Sequence, residues 1–197
     1  MVLADLGYRR VLLFERWLDE PITPVTPRAP VTFSKLEPAQ IDEYLRFHDA
    51  TSRPRLEERF ARGDECFVAR HDGRIVCASW ATRKEFLMSS MHYRYAVGPS
   101  EAYLYDSFTD PAFRGRAIAP ALGVHVLERF RCAGVTRATL AVHPENVANR
   151  RARAKNAFRL CERIDCLQLG NRVWHWHREK RERGERRSRA GVPHRNR

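Results

Sequence analysis

Residues 101–119 read EAYLYDSFTDPAFRGRAIA, from Glu101 to Ala119. Glu101 to Thr109 is rich in β-branched and aromatic residues and reads as a strand. Asp110 to Gly115 is a loop that ends in Arg-Gly, and a helix opens at Arg116. A helix start presents free backbone N–H groups and the positive end of its dipole, which suits a pyrophosphate. The small residues Gly115, Ala117 and Ala119 let phosphate oxygens approach the backbone, and Arg114 and Arg116 add charge.

Downstream the rhythm is helix, strand, helix, strand, strand. Ile118, Leu122, Val126 and Phe130 are spaced by four, so Arg116 to Cys132 is an amphipathic helix that stops at Ala133-Gly134. Thr136 to Val142 is a strand and Val147 to Asn156 a short helix. Arg159 to Leu169 and Arg172 to His177 form a closing hairpin over Gly170-Asn171. Upstream, Val31 to Leu36 is a strand, and helices cover Pro38 to His48 and Arg53 to Arg62. Glu65 to Arg70 and Arg74 to Arg83 pair through His71-Asp72-Gly73, because Asp-Gly tolerates the positive φ of a tight hairpin. A further strand lies near Tyr93 to Val97. Tyr8 to Leu18 reads as either strand or short helix, and PITPVTPRAP as an extended linker. The expected organisation is an N-terminal extension and linker (1–30), one domain (31–177) and a basic tail (178–197).

The run Thr109-Asp110-Pro111-Ala112-Phe113-Arg114-Gly115-Arg116-Ala117-Ile118-Ala119 resembles the coenzyme A-binding signature of the GNAT superfamily of N-acyltransferases. Asn146, Asn149, Lys155, Asn156, Ala157 and Phe158 are similar to its second signature. The sharp part of the resemblance covers 101–158. It implies an α/β (α+β) GNAT fold: a central, mixed, mostly antiparallel twisted sheet of about seven strands flanked by about four helices. It also implies an acetyl-CoA-dependent N-acetyltransferase acting on an amine of a small molecule or protein. Backbone around Phe108 and Thr109 would pair with the pantetheine arm. Amides of Arg114, Gly115, Arg116, Ala117, Ile118 and Ala119 would hold the pyrophosphate, and Asn146 would touch the arm. Two positions depart from the pattern, since Ala117 and Ala157 stand where the family has Gly. Alanine is expected to serve at 117 in a helical first turn.

Acyl transfer needs a deprotonated nucleophile, a stabilised oxyanion and a fate for the thiolate. Glu101, thirteen residues before Arg114, falls where the resemblance places a carboxylate base. Strand alternation puts Tyr103 and Tyr105 on its face and Asp106 on the other. The family's usual acid is a Tyr seven or eight residues after Asn146, where this chain has Arg153 and Ala154. Water, Tyr105 or simple expulsion of the thiolate would have to serve, with His143 and Glu145, in the loop His143-Pro144-Glu145-Asn146, as substitutes near the cofactor. His175 and His177 alternate on a closing strand, without a third ligand in reach, and no metal is expected.

Composition sets the remaining bounds. A chain of 197 residues supports one domain with a substantial core. No apolar run approaches the ~20 residues of a membrane span, the start does not read as a secretory signal, and Cys66, Cys77, Cys132, Cys161 and Cys166 form no CxxC pair. A cytoplasmic protein with buried, reduced thiols is expected. The net charge is +12, and the stretch from Arg178 to Arg197 contributes +6 of it. That stretch has almost nothing apolar to bury and is expected to be disordered. Two other readings remain open: a GNAT-fold module that binds coenzyme A without turnover, and a nucleic-acid-binding protein resting on the tail. A homodimer is also open. Truncation after His177 is expected to leave the melting temperature nearly unchanged while weakening salt-sensitive binding to polyanions. A large drop in melting temperature would mean that the tail docks on the domain.

Overall fold

The computed structural model describes residues 6–179. In chain order its elements are β1 (Leu6–Trp17), β2 (Thr32–Leu36), α1 (Ile41–Phe47), α2 (Arg53–Arg62), β3 (Glu65–His71), β4 (Arg74–Thr82), β5 (Phe86–Met88), β6 (Tyr93–Tyr95), β7 (Glu101–Thr109), α3 (Ile118–Cys132), β8 (Arg137–Val142), α4 (Val147–Lys155), β9 (Arg159–Leu169) and β10 (Arg172–Glu179). Eight strands form one sheet in the order β10-β9-β1-β8-β7-β4-β3-β2, and β5 and β6 make a separate hairpin. Every neighbouring pair in the large sheet is antiparallel except β7 and β8.

Local chemistry explains several boundaries. Asp72 and Gly73 both have positive φ, 48° and 76°, as the tight β3–β4 turn requires. Helix α2 carries Pro54 in its first turn and ends where Gly63 turns left-handed at φ 88°. Alternation along β3 and β4 then feeds two cores. Cys66, Val68, Ala78 and Trp80 pack with Tyr44 and Leu56 beneath α1 and α2. Phe67, Cys77 and Ala81 pack with Leu122, Val126 and Phe130 of α3 on the opposite face. A third cluster joins Val11, Leu13 and Ile164 to Met88, Met91 and Tyr95, so the small hairpin covers the β1–β9 end of the sheet.

The N-terminal segment corrects the expected boundary at residue 31. Leu6–Trp17 is not an appendage: it lies between β8 and β9 and pairs with both, which raises the strand count from about seven to eight. The Pro-rich stretch that follows runs back along α3. The Leu18 amide bonds the Thr136 carbonyl at 2.9 Å, the Arg28 amide bonds the Arg116 carbonyl at 2.7 Å, and Ile22 and Val31 pack on the α3 core. Prolines suit this strap because an extended chain lying on side chains needs few backbone donors. At the other end β10 runs to Glu179, and the rest of the basic tail lies outside the described residues. All five cysteines are free, but Cys132 is exposed at the end of α3, where the expectation was burial. No helix among the described residues is long and apolar enough to cross a membrane.

Removing residues 1–17 should abolish folding, because β8 and β9 would then face each other across a missing strand and buried Val11 and Leu13 would be lost. The shortened chain should show no cooperative melt by circular dichroism. A cooperative melt near that of the parent would contradict this placement of β1.

Candidate active site

The parallel register of β7 and β8 runs from Glu101↔Arg137 to Leu104↔Leu140 and stops there. Both strands continue, β7 to Thr109 and β8 to Val142, so they splay. From Tyr105 onward β7 has no strand beside it on that side among the described residues. Its backbone there needs partners, and an extended ligand could supply them.

A bulge lies at the mouth of this splay. The β4–β7 register steps from Trp80↔Tyr105 to Ala78↔Phe108, leaving one residue on β4 opposite two on β7. Asp106 takes φ 45°, a left-handed conformation that Asp tolerates better than most residues. The bulge corrects the alternation read from the sequence. Asp106 does not turn away from Tyr105, and both lie against Arg59 of α2. The Arg59 Nη2 pairs with Asp106 Oδ2 at 2.6 Å, and the guanidinium sits 5.1 Å from the centre of the Tyr105 ring. Ser107 meets Ser79 and Arg153 instead, through Oγ contacts of 2.8 Å to each. Phe108 stacks on His48 at 4.2 Å, and the Thr109 hydroxyl meets the Cys77 thiol at 3.2 Å.

On the α3 side, the loop from Arg114 to Ala119 leads into the helix start. Gly115 has φ 77° with nothing within 4 Å of where a Cβ would sit, so phosphate oxygens have room there. Ala117 is the N-cap residue at φ 57°, not part of a helical first turn as expected. Pro120 has no N–H and the Ala121 amide bonds the Ala117 carbonyl, which leaves Ile118 and Ala119 as first-turn donors. Arg114 and Arg116 are exposed. Asn146 is less free than expected, since its Oδ1 accepts the Asn149 amide at 3.0 Å and caps α4.

The α2 side of the splay holds a cleft of about 600 Å³, lined among others by Arg59, Phe86, Tyr103, Tyr105, Asp106 and His143. The Tyr105 hydroxyl donates to Asp64, which Arg62 also grips. Burial, reinforced by Asp64, pushes the Tyr105 phenol well above its ordinary range, so it is a poor acid near neutrality. Glu101 does not line the cleft. It sits at the zipped end of β7, with its carboxylate 2.8 Å from Arg137 Nε and accepting the Gly98 amide at 3.2 Å. Trp80 is fully buried, its indole N–H donating to Tyr44 at 2.9 Å, while Phe86 reaches the cleft. Among the described residues no group of three or more His, Cys, Asp or Glu could hold a metal ion. His175 meets the Met91 carbonyl and His177 meets Glu162.

Sequence reasoning missed Arg59, Asp64, Ser107 and the orientation of Arg153. Arg153 is buried at 8% exposure, its Nε donating to Asn149 Oδ1 at 2.9 Å and its Nη2 to Ser107. Burial pulls its pKa down to about 10. The only signal for it was its place seven residues after Asn146.

The sheet is open past its one parallel pair, with the α2 cleft beside the opening and the loop before α3 unobstructed at Gly115. The family model for the acetyltransferase (GNAT) family matches residues 33–158, and the chain belongs to that family. No curated protein sequence matches it. Among solved structures, a GNAT-family protein from Novosphingobium aromaticivorans superposes with a TM-score of 0.59 at 17% identity, over 86% of this chain and 68% of that one. A GCN5-related N-acetyltransferase from Sphaerobacter thermophilus gives 0.56 at 19%, over 88% and 53%. The glucosamine N-acetyltransferase region of a fungal multi-domain β-N-acetylglucosaminidase gives 0.58 at 13%, over 88% and 21%. At these identities the likeness is one of fold.

Ala117 and Ala157 both hold left-handed backbone, at φ 57° and 54°, where a Cβ costs about 1–2 kcal/mol. Part of that returns as unfolded-state entropy when glycine is introduced. Ala117→Gly should therefore stabilise by roughly 0.5–1 kcal/mol and raise the melting temperature by about 1–4 °C. A fall in melting temperature by calorimetry would contradict the strain assigned to this loop.

Proposed function

We propose that this chain transfers the acetyl group of acetyl-CoA to an amine, on a small molecule or a protein. The observation that carries the reading is the splay with its bulge. Tyr105 and Asp106 turn towards α2 and Ser107 towards α4, which supports a reading in which the acceptor approaches from α2 and the donor from the α3–α4 side. Two substrates can then meet through the slot between β7 and β8 without sharing a surface.

On the α3–α4 side, the donor's pyrophosphate would take the amides of Gly115 to Ala119 and the charge of Arg114 and Arg116. Its extended arm would complete the free edge of β7 at Phe108 and Thr109 and pass Asn146. From the α2 side, the acceptor amine would attack the thioester carbonyl carbon. The C–N bond forms, the C–S bond breaks, and the amine loses a proton. Of the two carboxylates on β7, Glu101 is held by Arg137 away from the cleft and Asp106 is charge-paired with Arg59. His143 lines the cleft, follows β8 directly and is in no ion pair among the described residues, so it is the proton acceptor in this reading. Tyr105 and Phe86 would form the aromatic wall that orients the acceptor.

Acetyl-CoA at a hundredfold its Kd should stabilise the protein by about 2.7 kcal/mol, and Gly115→Val should remove that shift. A panel of amines, amino sugars and peptides, assayed by released thiol, then identifies the acceptor. With it, His143→Asn should lower kcat/KM by roughly 10²–10⁴-fold while leaving the acetyl-CoA shift intact. Absence of any shift at saturating acetyl-CoA would sink the reading. A shift without turnover across the panel would favour the non-catalytic module.

A further inference from the structure

We propose that Arg153 forms a buried anion site for the coenzyme A thiolate that acyl transfer releases. The inference rests on the reading of the slot given above and adds the fate of its leaving group. Its physical basis is a charge that no carboxylate among the described residues compensates. Buried arginines are normally paired with carboxylates or other anions. Arg16, Arg59 and Arg137 follow that rule here, with Glu20, Asp106 and Glu101 as partners. Arg153 is equally buried, yet both of its partners, Ser107 and Asn149, are neutral.

The position of the guanidinium indicates which anion it awaits. Arg153 reaches from α4 to Ser107, in the part of β7 that has left β8, so it lies beside the free edge where a donor's arm would run. The titratable group nearby is Cys77 of β4, whose own thiol burial holds up at about 11. That thiol is neutral near pH 7 and cannot balance Arg153.

The chemistry closes without a proton donor on α4. The amine lone pair forms the C–N bond, and the tetrahedral oxyanion collapses. The C–S electron pair then leaves on sulfur as thiolate, paired with the guanidinium. The amine proton departs on the opposite face of the slot. Arg153 thus performs by charge what a proton donor at this position would perform by protonation.

The test needs no acceptor. Coenzyme A bound to the intact protein is titrated by the ultraviolet absorbance of its thiolate. An opposite charge within contact range should favour the bound thiolate by roughly ten- to a thousandfold over free coenzyme A. Arg153→Met should abolish that gain and Arg153→Lys should keep part of it. As a measurement on the unaltered protein, the affinity for coenzyme A relative to acetyl-CoA should rise with pH as the bound thiol ionises and level off once the free thiol ionises as well. Acetyl-CoA, with no ionisable sulfur, corrects for the rest of the site. If bound coenzyme A titrates like free coenzyme A and the ratio stays flat with pH, the anion site is wrong while the acetyltransferase reading stands. If neither coenzyme A nor acetyl-CoA binds, both fall together.

Discussion

The structure turns on the parallel pairing of β7 and β8, which holds for four residue pairs and then lets go. Two rigid half-sheets meet at that seam. On one side, β8 is held by six residue pairs to β1, and β1 in turn by β9. On the other, β7 is tied to β4 through a bulge that increases its twist just past the last paired residue. Neither strand can follow the other, so the opening is built into the sheet and does not wait for a ligand. This explains why the first strand of the chain matters to a site formed a hundred residues later: without β1, nothing would fix β8.

Electrostatics sharpen the two sides of the seam differently. On the α2 side the charges are closed off. Arg59 takes Asp106, Arg62 takes Asp64, and the Tyr105 hydroxyl joins the second pair. Such partly buried pairs add little net stability, but removing one partner strands the other, so they fix geometry firmly. On the α4 side Arg153 is left with neutral partners. A fold that compensates its buried arginines elsewhere and leaves this one open has kept a local electrostatic demand at the slot.

Much of this was legible in the sequence wherever a local rule decides the outcome. Asp72-Gly73 gave its hairpin because both residues accept positive φ. The end of α2 followed from Gly63, and the extent of β7 from its composition. The spacing from Thr109 to Phe158 identified the family. Three features were not legible. The partners of β1 lie more than a hundred residues away, and nothing within a twelve-residue strand names them. The bulge at Asp106 has no glycine to mark it, and one extra residue reverses every facing assignment after it. That slip is why Asp106 was assigned to the wrong face. Arg153 sits in a helix full of arginines, where the ordinary expectation is exposure, and only packing against β7 distinguishes it from Arg150 and Arg151.

The proposed donor site makes the unzipped edge of β7 the surface that binds the extended acyl donor. Amide hydrogen exchange, followed with and without saturating acetyl-CoA, tests it most directly. Protection should rise in the segment 105–109 and in the loop 114–119, while the already zipped residues 101–104 stay unchanged. Binding that leaves 105–109 exchanging at its unliganded rate would contradict it.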